Sequence, residues 1–363
     1  MGAALALGRR GLGIVWPNPA VGCVLVRHSD SGERIVGRGW TQPGGRPHAE
    51  TEALRRAGTA AKGATAYVTL EPCNHQGKAP PCTEALIAAG VARVVAAIED
   101  PDPRVAGKGH ARLRDAGIEV VTDVCADAAA GDNAGYLMHR REGRPLITLK
   151  TATTLDGRIA AHTGESKWIT AEAARRRAHL MRATHDAVVV GIGTALVDDP
   201  TLTCRLPGLE DRSPVRIVVD ARMRLPLTSR LAKTAKQWAT WMIVLEAADE
   251  DRRKAYEDCG IEVLEVAAGK NGYPDPRKAL AALAGKGLTR IMVEGGSALA
   301  ASLMRADLVD RIAWFRAGGI MGGDGIPAIA PYGVDHLEEM QRFQRVTAES
   351  LGDDVLETYR RRD

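Results

Sequence analysis

Two short blocks near the N-terminus, Pro47-His48-Ala49-Glu50 and Glu71-Pro72-Cys73 with Pro81-Cys82 behind it, constrain this chain more than any other feature. One imidazole and two thiolates make a three-ligand zinc set. Structural zinc sites are usually closed by a fourth protein ligand, whereas catalytic sites keep a position for water. Glu50, two residues after His48, is placed to move the protons of that water. The pattern also dictates local structure. His48 and Cys82 fall at or near the N-termini of expected helices, and Cys73 falls in the turn after a strand. A helix N-terminus carries partial positive charge, so a thiolate there is expected to have a lowered pKa. The competing reading is a structural zinc site or two unconnected cysteines. The proline before each cysteine and the offset of Glu50 from His48 favour the catalytic set.

A length of 363 residues suggests two domains. Aromatic residues make up only 4%, so Ala, Val and Leu must fill the cores. The net charge of +4 is small and dispersed, which argues against a nucleic-acid partner. Arg175-Arg176-Arg177 reads as the solvated face of a helix. The cysteines lack the spacing of a secreted disulfide scaffold. Two are assigned to metal, and Cys23, Cys125, Cys204 and Cys259 read as small buried residues. With no signal peptide and no apolar run of membrane-spanning length, a reducing cytoplasm and no membrane partner are expected. A homo-oligomer is expected.

The first half alternates strands and helices. Val21 to Arg27 and Ile35 to Trp40 read as paired strands around the turn at Asp30-Ser31-Gly32. His48 to Ala57, Thr83 to Ala89 and Gly109 to Ala116 read as helices, and Ala66 to Leu70, Arg93 to Ile98 and Glu119 to Val121 as strands. The chain begins close to its first helix, which is expected to be weakly held in part. Ala126 to Arg144 is expected to leave the first domain as one helix, with the boundary at Gly143-Arg144-Pro145. A second α/β rhythm follows. Its expected strands are Leu146 to Ala152, Ala187 to Gly191, Val215 to Asp220, Thr240 to Leu245, Ile261 to Val266, Arg290 to Val293 and Arg311 to Ala317. Its expected helices are Ala171 to Ala183, Arg277 to Ala284 and Ser297 to Ala306. The result is a layered α/β chain.

Around the zinc set, Asn18 is held between Pro17 and Pro19, so its amide is fixed and suited to reading a heterocycle. An ordinary turn asparagine is the alternative. His75 and Lys78 lie on the loop between the two cysteines and suit a substrate phosphate or carbonyl; a solvated loop is the alternative. In the second half, Glu294-Gly295-Gly296-Ser297 joins a strand to a helix whose free N–H groups suit a phosphate. Gly191-Ile192-Gly193-Thr194 makes a second such turn, and Asp198-Asp199 after it suits ribose hydroxyls. Neither is the G-x-G-x-x-G fingerprint, so a standard dinucleotide-binding unit is not expected.

The H-x-E block followed by P-C and a second Cys is the arrangement of the zinc deaminases. With Pro17-Asn18-Pro19, Ala66 to Cys73, Pro80 to Cys82, Asp100 to Pro103 and Val105 to Gly109, the first half resembles the bifunctional deaminase–reductases of riboflavin biosynthesis. Lys150 to Arg158, Gly164 to Thr170, Gly193-Thr194, Asp198 to Pro200 and Val293 to Gly296 extend the resemblance through the second half.

That resemblance implies a cytidine-deaminase-like α/β/α zinc domain at 1–144 and a dihydrofolate-reductase-like α/β domain at 145–363. It implies zinc-dependent hydrolytic deamination of 2,5-diamino-6-(5-phosphoribosylamino)pyrimidin-4(3H)-one, a small phosphorylated pyrimidine. NADPH-dependent reduction of the ribosyl group to ribityl then follows. His48, Cys73 and Cys82 would bind one Zn2+, with Glu50 as proton shuttle. Ala152, Trp168, Thr194, Asp198, Gly295 and Gly296 would meet NADPH. Ser166, Arg182, Leu202, Arg205 and Glu294 would meet substrate, with Arg182 and Arg205 suited to its phosphate. Lys150 and Glu294 are the catalytic candidates of the second half. A nucleic-acid base deaminase with an accessory domain and a non-catalytic zinc and nucleotide-binding protein are the competing readings. The dispersed charge argues against the first, and Glu50 beside an open zinc position argues against the second.

Overall fold

The β-branched run after Pro19 forms an interior strand of the first sheet, β1 (Gly22–Ser29), buried over its first five residues. The computed structural model describes residues 1–30, 32–76 and 80–362. The chain divides into two units, Met1–Gly143 and Arg144–Asp363. In the first, β1 pairs antiparallel with β2 (Gly32–Trp40) and β3 (Thr65–Val68), while β4 (Arg93–Ala96) and β5 (Glu119–Val121) continue in parallel. The strand order is β2-β1-β3-β4-β5. Among the described residues this unit has the helices α1 (Gly2–Gly8), α2 (Ala49–Ala57), α3 (Cys82–Ala88), α4 (Lys108–Asp115), α5 (Ala126–Asp132) and α6 (Ala134–Glu142). The core is built from small and aliphatic side chains, among them Leu25, Ala53, Val68, Leu86, Val94 and Leu113.

The helix that carries the first zinc block lies directly on backbone. A Cβ at Gly39 of β2 would sit 2.1 Å from the carbonyl oxygen of Ala49, so only glycine lets α2 approach this closely. Two expectations need correction here. The first helix is not weakly held: Ala4 and Leu5 are buried against the sheet. The segment from Ala126 is not one helix either. It breaks at Asn133, whose Oδ1 accepts the Ala20 N–H at 2.9 Å and whose Nδ2 donates to the Ala20 carbonyl. Asn133 thereby anchors the chain two residues after Asn18.

The second unit contains β6 (Leu146–Thr153), β7 (Arg158–Ala160), α7 (Glu172–Ala183), β8 (Ala187–Gly191), α8 (Ile192–Asp198), β9 (Val215–Val219), α9 (Arg230–Lys233), β10 (Thr240–Leu245), α10 (Glu250–Asp258) and β11 (Ile261–Val266). It continues with α11 (Pro276–Gly285), β12 (Arg290–Glu294), α12 (Ser297–Arg305), β13 (Arg311–Arg316), β14 (Ile326–Pro327), β15 (Phe343–Leu351) and β16 (Asp354–Arg361). The large sheet has the order β11-β10-β9-β8-β12-β6-β13-β16-β15, and β7 pairs with β14 separately. Strands from β11 to β13 run parallel; β16 and β15 are antiparallel. The parallel strands are buried Val- and Ile-rich runs, as a sheet covered on both faces requires. Among the described residues no helix is long and apolar enough to cross a membrane. Cys125 departs from the buried role expected of it. It is exposed, in a left-handed conformation at the N-cap of α5.

Candidate active sites

In the first unit, three separate segments deliver the metal-type ligands. His48 is the N-cap of α2 in an extended conformation, Cys82 is the first residue of α3, and Cys73 lies in the loop after β3. The Cys73 carbonyl accepts the Thr83 N–H at 3.2 Å, tying the two cysteine segments together. The Thr83 hydroxyl also donates to Asn74 Oδ1 at 2.8 Å. His48 Nδ1 lies 3.3 Å from Cys82 Sγ and 3.6 Å from Cys73 Sγ. Tetrahedral zinc with bonds of about 2.0 Å to nitrogen and about 2.3 Å to sulfur needs an N···S separation of about 3.5 Å. The three ligand atoms, all within 4.8 Å of one another, therefore fit zinc.

Glu50 lies in the first turn of α2 and is 4% exposed. Burial, reinforced by the charge of Cys73, pushes its carboxyl up to about 7, so it can both take and give a proton near neutrality. The thiol with the lowered pKa is Cys73, and this corrects the expectation for the helix N-terminus. Hydrogen bonding from Cys82 brings Cys73 down to about 4 against the effect of burial, with help from His48. Cys82, the residue at the helix start, is pushed up by that hydrogen bond and by burial.

Asn18 is wedged against the turn before His48. A Cβ at Gly45, which has φ 84°, would sit 1.9 Å from Asn18 Nδ2. His75 Nδ1 is buried without a hydrogen-bond partner among the described residues, and Lys78 lies outside them. Sequence reasoning gave Glu71 no role, yet its carboxylate accepts the N–H groups of Asp100 (3.2 Å), Gly107 (3.0 Å), Gly109 (2.8 Å) and His110 (3.1 Å). It fixes the loops beside Cys73. An acid immediately before Pro-Cys was the only hint.

In the second unit, the carboxyl ends of β6, β12, β8 and β9 open into a cavity of about 1510 Å³, the edge where parallel sheets bind ligands. Lys150, Ala152, Ser166, Trp168, Arg182, Thr194, Asp198, Leu202, Arg205, Glu294, Gly295 and Gly296 all line it. Glu294, the last residue of β12, accepts two hydrogen bonds from Arg182, at 2.6 and 2.8 Å. Burial alone would raise its pKa, but Arg182 and then Lys150 outweigh that and hold it at about 2. Lys150 Nζ is 3.9 Å from Glu294 Oε2 and 5.6 Å from the centre of the Phe315 ring. Burial lowers its pKa, partly offset by Glu294.

The cavity also fits a dinucleotide. Gly295 and Gly296 have φ of 82° and 90°, and Ser297 Oγ, at the start of α12, is buried without a hydrogen-bond partner among the described residues. Such a helix start offers N–H groups and a hydroxyl to a phosphate. The cavity is larger than the roughly 300–1,000 Å³ of most small-ligand sites, leaving space for a second ligand.

Fold and geometry together define a two-site enzyme, a zinc hydrolase unit joined to an α/β unit with a large ligand cavity. Residues 1–98 match the model of the cytidine and deoxycytidylate deaminase zinc-binding region, and residues 145–356 match the RibD C-terminal domain. The chain is 40% identical over 361 residues to the riboflavin biosynthesis protein RibD of Aquifex aeolicus, covering 99% of this chain and 97% of that one. A solved RibD structure from Acinetobacter baumannii superposes with a TM-score of 0.87 at 36% identity, covering 100% of this chain and 98% of that one. A Thermotoga maritima structure, named diaminohydroxyphosphoribosylaminopyrimidine deaminase/5-amino-6-(5-phosphoribosylamino)uracil reductase, gives 0.85 at 33% identity, covering 99% and 97%. The chain belongs to the RibD family of bifunctional deaminase–reductases in riboflavin biosynthesis.

Proposed function

We propose that residues 1–144 deaminate 2,5-diamino-6-(5-phosphoribosylamino)pyrimidin-4(3H)-one and that residues 145–363 reduce the deaminated product with NADPH. The observation that carries this reading is the cluster of half-buried His48 and Cys73 with buried Cys82 and Glu50, matched by one cavity that gathers every expected reductase residue. His48 Nδ1 and the sulfurs of Cys73 and Cys82 would hold zinc. Zinc supplies a water acidic enough to attack at neutral pH. A Glu50 carboxylate oxygen takes the proton of the attacking water and passes it to the departing 2-amino nitrogen, which leaves as ammonia. Asn18 and His75 orient the pyrimidine, and Lys78 serves the same substrate.

In the second unit Arg205 and Arg182 receive the phosphate end, with Ser166, Leu202 and Glu294 around the substrate. Ala152, Trp168, Thr194, Asp198, Gly295 and Gly296 would hold NADPH. Bound there, NADPH would supply the hydride that reduces the opened ribosyl chain. Lys150 Nζ gives the accompanying proton to the adjacent nitrogen, and Glu294 holds the ammonium in place until then. The reading places the chain in a reducing cytoplasm, which keeps Cys73 and Cys82 from oxidising to a disulfide, and includes self-association, measurable by light scattering.

The test separates the two steps. Glu50→Gln should lower ammonia release by about 10²–10⁴-fold. The same variant, given the deaminated product, should still oxidise NADPH at the unmodified protein's rate. Full ammonia release by Glu50→Gln would overturn the role of Glu50.

A further inference from the structure

One face of α7 looks onto the cavity. Arg175, His179 and Arg182 are spaced i, i+4, i+7 and all three line it. The outer two have evident contacts. The Arg175 guanidinium lies 4.7 Å from the centre of the Trp168 ring, and Arg182 grips Glu294. His179, between them, has no part in the reaction described above.

Its partner is the backbone of the facing loop. His179 Nδ1 lies 3.2 Å from the Arg205 N–H, which donates to it. Accepting that bond requires a neutral ring with its proton on Nε2. The surroundings favour that form, because burial and then the charges of Arg182 and Arg205 bring His179 down to about 4.

The rest of the loop is pinned from other directions. Arg182 Nη1 donates to the Thr203 carbonyl at 3.0 Å. Arg216, fully buried in β9, donates through Nη1 to the Thr201 carbonyl at 3.2 Å. Leu202 between them has φ 55°, a strained setting for a leucine that such clamps must maintain. The Cys204 N–H donates to Ser213 Oγ at 3.1 Å. The Arg205 side chain turns back so that Nη1 donates to Thr201 Oγ1 at 2.7 Å. His179 supplies the corresponding hold on the Arg205 main chain.

We propose that His179 is a positioning residue that fixes the main chain at Arg205 so that its guanidinium meets the phosphate end of the reductase substrate. The proposal rests on the reading that Arg205 binds that phosphate. The prediction is specific to one ligand, because His179 touches neither Glu294 nor the Gly295-Gly296 turn through any hydrogen bond found among the described residues.

The test is steady-state reductase kinetics of the full chain with 5-amino-6-(5-phosphoribosylamino)uracil and NADPH. His179→Ala should raise KM for the pyrimidine about tenfold, the scale of one lost hydrogen bond, with a smaller change in kcat and none in KM for NADPH. His179→Asn, whose Oδ1 can accept the same N–H, should recover most of that loss. Arg205→Ala should raise the same KM by at least as much. A normal KM in His179→Ala beside a raised KM in Arg205→Ala overturns the role of His179. So does a His179→Asn variant as impaired as His179→Ala. A normal KM in Arg205→Ala overturns the reading of Arg205 on which the proposal rests.

Discussion

Glu294 shows how strongly one residue in this chain depends on its partner. Its carboxylate is buried at the end of β12, where a lone charge would be costly, and the Arg182 guanidinium keeps it ionised. Removing one member of such a pair leaves the other buried and unpaired, at a cost of about 3–5 kcal/mol. Glu294→Ala should therefore lower the denaturation midpoint of the second unit strongly, and Glu294→Gln, which can still accept from Arg182, should lower it less. Equal midpoints would contradict this account.

His185 gives the pH counterpart. Its Nδ1–H donates to the Met181 carbonyl at 2.7 Å, and Nε2 accepts from the Thr148 hydroxyl at 3.2 Å. Burial, with Arg290 adding, lowers its pKa from 6.5 to about 3. The unfolded chain therefore binds the proton more readily. The stability His185 contributes is complete above pH 6.5 and is lost as pH falls toward 3. Titration followed by NMR should show the His185 ring neutral at pH 5, and protonation near 6.5 would refute it. At this scale the cluster of His48, Cys73 and Cys82 was legible because few residue combinations do metal chemistry. Glu71 and His179 were not, because their partners are backbone amides brought in by the fold.

At the scale of elements, the β1–β5 sheet and the parallel strands were readable from apolar runs bounded by turns. The β15–β16 hairpin was not. Nearly all of β15 is exposed, so its sequence, Phe-Gln-Arg-Val-Thr-Ala-Glu-Ser-Leu, carries no buried face to betray a strand. Helix α8 was hidden inside a turn inferred from its glycines. The contact that positions the first site, α2 against β2, depends on Gly39. Gly39→Val should force the helix away from the sheet, cost about 1–3 kcal/mol by overpacking, and weaken zinc retention on dialysis. Unchanged zinc content and thermal midpoint would show that α2 seats itself by other contacts.

For the molecule as a whole, zinc belongs to one unit and the large cavity to the other. Stripping the metal with a chelator should abolish ammonia release, restored by adding zinc, while NADPH oxidation with the deaminated product continues. Loss of both activities on chelation would contradict two separate sites. The most direct test follows both products in one reaction. The zinc-loaded protein is given 2,5-diamino-6-(5-phosphoribosylamino)pyrimidin-4(3H)-one and NADPH. Ammonia should appear first, and NADPH should be consumed after a lag, one per ammonia released. NADPH oxidation without prior ammonia release, or ammonia release with no NADPH oxidation at all, would contradict consecutive steps in one chain.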